Sequence, residues 1–263
     1  MKIFKLFLLP LFLLLLTSRV YSTSQYPDYL IYKGDTLPIF ANPLESYFDH
    51  HPRPDSLFEK RGNRSTACWR GYIAYWELKN DSLFLLRVEG DKADIELPLI
   101  FNDKKIKGKV FANWYSYSIL NPYGELLNYE HMGYNSIYQY EKEFIFKKGK
   151  LKSIKLYDNS KSKKSIYTQD ESLLKNHIDS MIKNSQLPKP NVKIKIYVCI
   201  ADVDDEGRIK KVKIARGYNK LYDQEAMRIV KSIPGWDVLY YHGVRYQLRW
   251  CILITFNAEN DKK

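Results

Sequence analysis

The clearest pattern in the chain lies in its last third, residues 192–256. Val192, Ile194, Ile196, Val198 and Ile200 alternate with Lys193, Lys195, Tyr197 and Cys199. A period of two built from β-branched residues predicts a strand with one buried face. The polar run Asp204-Asp205-Glu206-Gly207 follows, then a second apolar run over 209–215. That arrangement predicts a hairpin, because glycine tolerates the positive φ of a tight turn. Ala226, Ile229, Val230 and Ile233 then recur at helical spacing, with Asp223 placed to cap the helix and Pro234-Gly235 to stop it. Trp236 comes next, and a second hairpin is expected near His242-Gly243. A final strand carries Trp250, Ile252, Ile254 and Phe256 inward.

Residues 29–157 read as a series of short strands. The segment 29–32 leads into a turn at Lys33-Gly34-Asp35, and 70–78 and 82–88 flank the hairpin signal Asn80-Asp81. Further strands are expected at 109–115, 125–130, 138–146 and 151–157, with Gly124 and Lys148-Gly149 marking turns. No long helical period interrupts them, so an antiparallel sheet or sandwich is expected. The Ser/Lys-rich stretch 159–165 lacks bulky apolar residues and reads as the domain boundary. Thr168 and Glu171 stand at capping-box spacing, and Leu174, Ile178, Met181 and Ile182 mark one helical face that ends before Pro188 and Pro190. This helix is expected to pack on the C-terminal sheet. The expected fold class is therefore α+β. It comprises a targeting segment at 1–22, a β-rich antiparallel domain at 23–158, a linker at 159–170, a β-β-α-β module at 171–257 and a short tail at 258–263.

That module resembles the C-terminal domain of the TonB family. The resemblance rests on Asp205-Glu206-Gly207, on Ile209 and Val212, and on Asp223 and Ala226. It continues through Val230, Pro234, Trp236 and Gly243 to the closing Phe256. The chain departs from the family pattern at Val238 and Leu253, where the family often has proline. The resemblance implies a bacterial envelope protein whose module binds a partner by adding a strand to its sheet edge. It places the binding edge on the last strand, at Trp250, Ile252, Ile254 and Phe256, and makes Gly207, Asp223, Ala226, Pro234, Trp236 and Gly243 structural. The implied partner is an envelope protein or peptide strand, an outer-membrane receptor among the candidates. An open edge also permits pairing with a second copy.

The first residues change where such a protein works. Lys2 and Lys5 precede an apolar run over 6–16 broken only by Pro10, and Val20-Tyr21-Ser22 offers a cleavage point. This is the layout of a secretory signal peptide, and the run is shorter than the ~20 residues of a spanning helix. Export to the periplasm or envelope is therefore expected. The rival within the same family is a membrane-anchored energy transducer. It needs a spanning anchor and a long Pro-rich reach, and no Pro-rich stretch is present.

The net charge is +12, of which Lys2, Lys5 and Arg19 account for three and leave +9 to the remainder. The lysines are scattered over strand faces and turns, densest over 147–164. They read as a solvated surface, and no nucleic-acid partner is expected. Twenty-two tyrosines favour β-rich packing. Trp69, Tyr72, Tyr75, Trp76, Trp114, Tyr115 and Tyr117 suit either a β core or a stacking face for a glycan or peptide. An enzyme or glycan-binding protein with Glu125 or Glu130 near Trp114 is the alternative from another class.

Candidate chemistry is sparse. Asp202, Asp204, Glu206 and Gly207 begin like a calcium loop, but its twelfth position, which needs a bidentate acid, is Lys213. His50 and His51 are adjacent and point apart on an extended chain, while His131, His177 and His242 stand alone. Cys68 with a distant His131 is a weak nucleophile signal, and there is no GxSxG, phosphate loop or dinucleotide fingerprint. We expect no enzyme, metal or cofactor. Cys199 and Cys251 both lie opposite their strand's isoleucine row. They can bond if the first and last strands are neighbours, and are otherwise two separate thiols.

Overall fold

The structure, a computed structural model, describes residues 25–54, 56–58, 66–90, 93–130, 133–246 and 250–258. The targeting segment 1–22, His131 and most of the tail lie outside the described residues. The protein is α+β and mostly strands, with one large mixed sheet and small antiparallel ones. By contacts it divides into two compact units. Unit one comprises Met1–Ile119, Tyr129–Ser136 and Ile145–Lys152, and unit two comprises Leu120–Asn128, Ile137–Phe144 and Ser153–Lys263.

Unit one begins with β1 (Asp28–Tyr32) and β2 (Asp35–Ile39), joined at Lys33-Gly34, both with positive φ. A short helix, α1 (Glu45–Phe48), follows. Strands β3 (Ile73–Lys79) and β4 (Ser82–Glu89) meet at Asn80 and Asp81, whose φ of 49° and 53° make the two-residue turn that suits strand twist. Short β5 (Asp94–Ile95) and β6 (Val110–Phe111) pair with β4, with α2 (Leu97–Ile100) between them. β4 also pairs with β9 (Lys150–Asp158), which completes the order β2-β1-β3-β4-β9-β8-β7 with β8 (Ile137–Lys147) and β7 (Ser118–Asn128). β1–β2 and β3–β4 are antiparallel as expected, but β1 runs parallel to β3, so the sheet is mixed. Two further expectations are corrected. Gly124 is not a turn between strands but sits inside β7 at φ +79°, where a Cβ would lie 2.8 Å from Gln139 Oε1. The strand expected at 109–115 shrinks to two residues.

The core of unit one is organised by an ion pair. Asp28 and Arg70 have fully buried side chains, with Arg70 Nη2 3.0 Å from Asp28 Oδ1. Asp28 also accepts from Ala74 N and Trp76 Nε1. Burial pushes its carboxyl up to about 6, against the pull of Arg70 and those donors. Leu30, Ile39, Tyr72, Trp76, Leu83 and Leu85 of this unit are buried as well.

Unit two contains β10 (Ile194–Val203), β11 (Ile209–Arg216) and β14 (Cys251–Phe256) in an antiparallel sheet of order β11-β10-β14. Three helices precede or cross it: α3 (Ile166–Gln169), α4 (Glu171–Lys183) and α5 (Lys220–Lys231). A hairpin of β12 (Leu239–Tyr241) and β13 (Val244–Tyr246) turns at His242-Gly243. The order β10, β11, α5, β14 is thus the strand, strand, helix, strand read from the periodicity. Ile194, Ile196, Val198 and Ile200 pack with Ala226, Ile229, Val230 and Ile233 from the helix and with Ile252, Ile254 and Phe256 from the last strand.

Caps differ from expectation by a few residues. Asn219, not Asp223, caps α5, its side chain accepting from Tyr222 N. Asp223 lies within the first turn and accepts from Tyr218 N instead. Asp170 rather than Thr168 caps α4. Asn and Asp reach their own helix's N–H groups readily, so neighbouring candidates compete and local geometry decides.

The stretch 159–165, expected as a linker, lies wholly in unit two, while the contact division runs through β7, β8 and β9. Asn159 is fully buried; it donates to Tyr138 O and accepts from Gly243 N. Lys163 and Val238 exchange two backbone hydrogen bonds. Asp237 accepts from Ser165 N, Thr168 Oγ1 and Lys164 Nζ, fixing the start of α3.

Candidate functional site: the free edge of β14 and the cleft beside α4

Among the described residues β14 ends the three-stranded sheet, and only one of its long sides is paired. Ile200 N donates to Trp250 O at 2.8 Å. In an antiparallel ladder alternate residues turn both main-chain groups toward the same neighbour. From the register Ile194↔Phe256 through Cys199↔Cys251, Ile252, Ile254 and Phe256 therefore face β10, and Cys251, Leu253 and Thr255 present their N–H and C=O groups to the open side.

That open side borders a cleft of about 1010 Å³. Leu174, Ile178 and Ile182 of α4 form one wall, and Trp250, Leu253 and Thr255 lie on the β14 side. Trp236 also lines it, its ring edge-on to Trp250 with centroids 6.2 Å apart. The apolar face expected on α4 thus does two things: it packs partly buried against the core of unit two, and it leaves a ledge beside the edge strand. Lys175 and Asp179 on its rim pair with each other at 2.8 Å.

The sequence-derived residues divide accordingly. Ile252, Ile254 and Phe256 are 8%, 0% and 4% exposed, so their side chains belong to the core and not to a binding surface. Trp250 stands just before β14 and is 44% exposed in the cleft. Leu253 and Thr255 carry the outward main chain, and the apolar row that singles out Ile252, Ile254 and Phe256 does not mark them. Parity was the available signal: whichever residues of an edge strand point inward, the others expose their backbone. Leu253 keeps an N–H on this edge that a proline at the same position would lack.

The residues expected to be structural fall in different places. Gly207, at φ +87°, accepts from Trp236 N, and a Cβ on it would lie 2.8 Å from Trp236 O. Ala226 and Trp236 are buried, and Gly243 at φ +71° completes the β12–β13 turn. Pro234 is exposed and lies three residues past the end of α5, in the stretch between buried Ile233 and Trp236.

Cys199 and Cys251 are joined in a disulfide across β10 and β14. Cys68 is buried and donates to Tyr72 O. The acidic turn is held by arginines: Arg208 bonds Asp204 and Glu206, and Arg245 reaches Asp202 and Asp205. Although burial pushes the other way, the bonds from Arg208 hold the Asp204 carboxyl below its ordinary range. No group of three or more metal-ligating side chains occurs among the described residues. His51 stacks on Tyr47, and His177 Nε2 lies 3.1 Å from Ser232 Oγ, which itself donates to Ile229 O as a helix-end contact.

The aromatic group of unit one splits. Tyr72, Trp76 and Tyr115 are buried, while Trp69 and Tyr117 are exposed at 40% and 60%. Trp114 packs edge-on against Tyr47 and donates to Pro43 O. Glu125 is exposed on β7, in unit two, and Glu130 is half-buried in unit one. No helix among the described residues is long and apolar enough to cross a membrane.

Comparison of the chain with protein-family models, with curated proteins and with solved structures returned no match.

Proposed function

We propose that this protein is an exported envelope binding module that captures an extended segment of a partner by strand addition to β14. The observation that carries the reading is the coincidence of two features: Cys251, Leu253 and Thr255 present main chain that no other described strand pairs, and they do so beside a cleft lined by Leu174, Ile178 and Ile182. An exposed edge beside an apolar wall supplies both parts of β-augmentation. Main-chain hydrogen bonds give affinity, and pockets for alternate side chains give selection. The resemblance to the TonB C-terminal domain supports the same mode. The Cys199–Cys251 bond supports an oxidising compartment such as the periplasm.

The test is a titration of extended peptides followed by tryptophan fluorescence, since Trp250 and Trp236 line the cleft. Leu253→Pro removes an outward N–H while leaving the core row intact, because prolines are tolerated on the solvent side of edge strands. Binding that falls at least tenfold in this variant supports strand addition. Binding unchanged in a folded Leu253→Pro protein argues against it.

A further inference from the structure

We infer that the segment received by β14 alternates apolar residues with carboxylates, its apolar set turned toward α4 and its acidic set toward the outer face of the sheet. The inference rests on the strand-addition reading and names the chemistry of the partner. Successive residues of an added strand point to opposite faces, so each set meets a different surface. On the helix side the surface is Leu174, Ile178 and Ile182. An acidic side chain there would meet apolar wall and the rim carboxylates Glu171 and Asp179, the latter already paired with Lys175.

The outer face differs. Moving inward from the edge, Leu253 and Thr255 on β14 are followed by Tyr197 and Lys195 opposite them on β10. Beyond these, β11 places Arg216 beside Tyr197 and Lys213 beside Cys199. Lys195, Lys213 and Arg216 are exposed, and no ion pair engages them among the described residues. β11, β14 and the part of β10 from 194 to 200 contain no Asp or Glu. The acids that begin at Asp202 are already held by Arg245 and Arg208. Among the described residues the face is therefore basic without internal compensation, and it flanks the open edge that borders the cleft.

Reach agrees with this. Neighbouring strands lie about 4.8 Å apart, so an added strand runs about 10 Å from β10. An extended lysine and an extended glutamate span that distance over the short side chain of Thr255, which stands between Lys195 and the added strand. The same field disfavours a second copy as the occupant, since its own edge would bring a like-charged face alongside.

Three eight-residue labelled peptides test the inference by fluorescence anisotropy: valine alternating with glutamate, with glutamine and with lysine. The glutamate peptide is expected to bind about five- to tenfold more tightly than the glutamine one, and the lysine peptide more weakly than both. The preference should shrink at high salt and vanish in a Lys195→Gln, Lys213→Gln double variant, whose two positions are exposed and leave the core untouched. Equal binding of all three peptides, lost in Leu253→Pro, overturns the charge preference and leaves strand addition standing. Failure of every peptide to bind overturns both. A free protein that is dimeric and becomes monomeric in Leu253→Pro assigns the edge to a second copy and also overturns the inference.

Discussion

Cys199 and Cys251 stand directly opposite each other on β10 and β14, their Cα atoms 3.9 Å apart, and a disulfide joins them. The pair sits at a position of the ladder where neither residue turns its main chain toward the other, the closer of the two antiparallel pairings. The bond ties the edge strand into its sheet at the end nearest Trp250. Cross-links across a segment of this size, here 52 residues apart, typically add about 2–4 kcal/mol. Cys251→Ser is therefore expected to lower the urea unfolding free energy by that amount while the far-ultraviolet circular dichroism stays unchanged. Identical midpoints for the oxidised protein and the variant would show that the bond contributes nothing to stability.

Gly207 occupies a backbone conformation that side chains avoid, and Trp236 O approaches it closely. Gly207→Ala is expected to cost about 1–3 kcal/mol, through left-handed strain and the displaced Trp236 backbone. Thermal unfolding compared with Gly235→Ala provides the control, because a Cβ at Gly235 meets only Ser165 Oγ at 3.6 Å.

Asp28 gives the pH dependence a sign. Its folded carboxyl lies at about 6, above the unfolded value near 3.8, because burial outweighs Arg70. A folded state that holds the proton more tightly gains stability that is fully present below pH ~4 and is lost as pH rises through ~6. The stability gap between the wild type and Asp28→Asn is therefore expected to narrow between pH 4 and pH 7. Urea unfolding at several pH values measures it. A gap that widens over that range would show that the charge of Arg70 outweighs burial.

Asp237 fastens the segment that leads into α3 and α4, accepting three hydrogen bonds from Lys164, Ser165 and Thr168. Asp237→Ala leaves Ser165 N and Thr168 Oγ1 without that partner, and a cost of about 2–4 kcal/mol is expected. Because α4 forms one wall of the cleft, peptide affinity should fall as well. A variant that loses stability but binds peptides unchanged would separate the fastening of α3 from the cleft.

The strands of unit two were legible because alternation is a local signal: the isoleucine row of β10 and the row Ile252, Ile254 and Phe256 both face the core as their period requires. The turns at Asn80-Asp81, Lys148-Gly149 and His242-Gly243 were legible for the same reason, since few residues adopt positive φ. Other features depend on partners distant in the chain. The parallel pairing of β1 with β3 leaves no mark in either strand alone. Gly124 looked like a turn because glycine has more than one use, and only the approach of Gln139 shows that it serves close packing within a strand. The ion pair of Asp28 and Arg70 joins residues 42 positions apart. At the candidate site the strand was legible but its working residues were not. Apolar periodicity draws attention to the buried row, whereas an added strand meets the main chain of the other one.

Amide hydrogen exchange of β14, read residue by residue by nuclear magnetic resonance, tests the central claim most directly. In the free protein the amides of Leu253 and Thr255 should exchange fast while those of Ile252 and Ile254 are protected. With the glutamate peptide or another peptide of the series bound, Leu253 and Thr255 should become protected and the inward pair should stay as it was. Protection of Leu253 and Thr255 in the free protein, or their continued fast exchange in a saturated complex, would contradict the account.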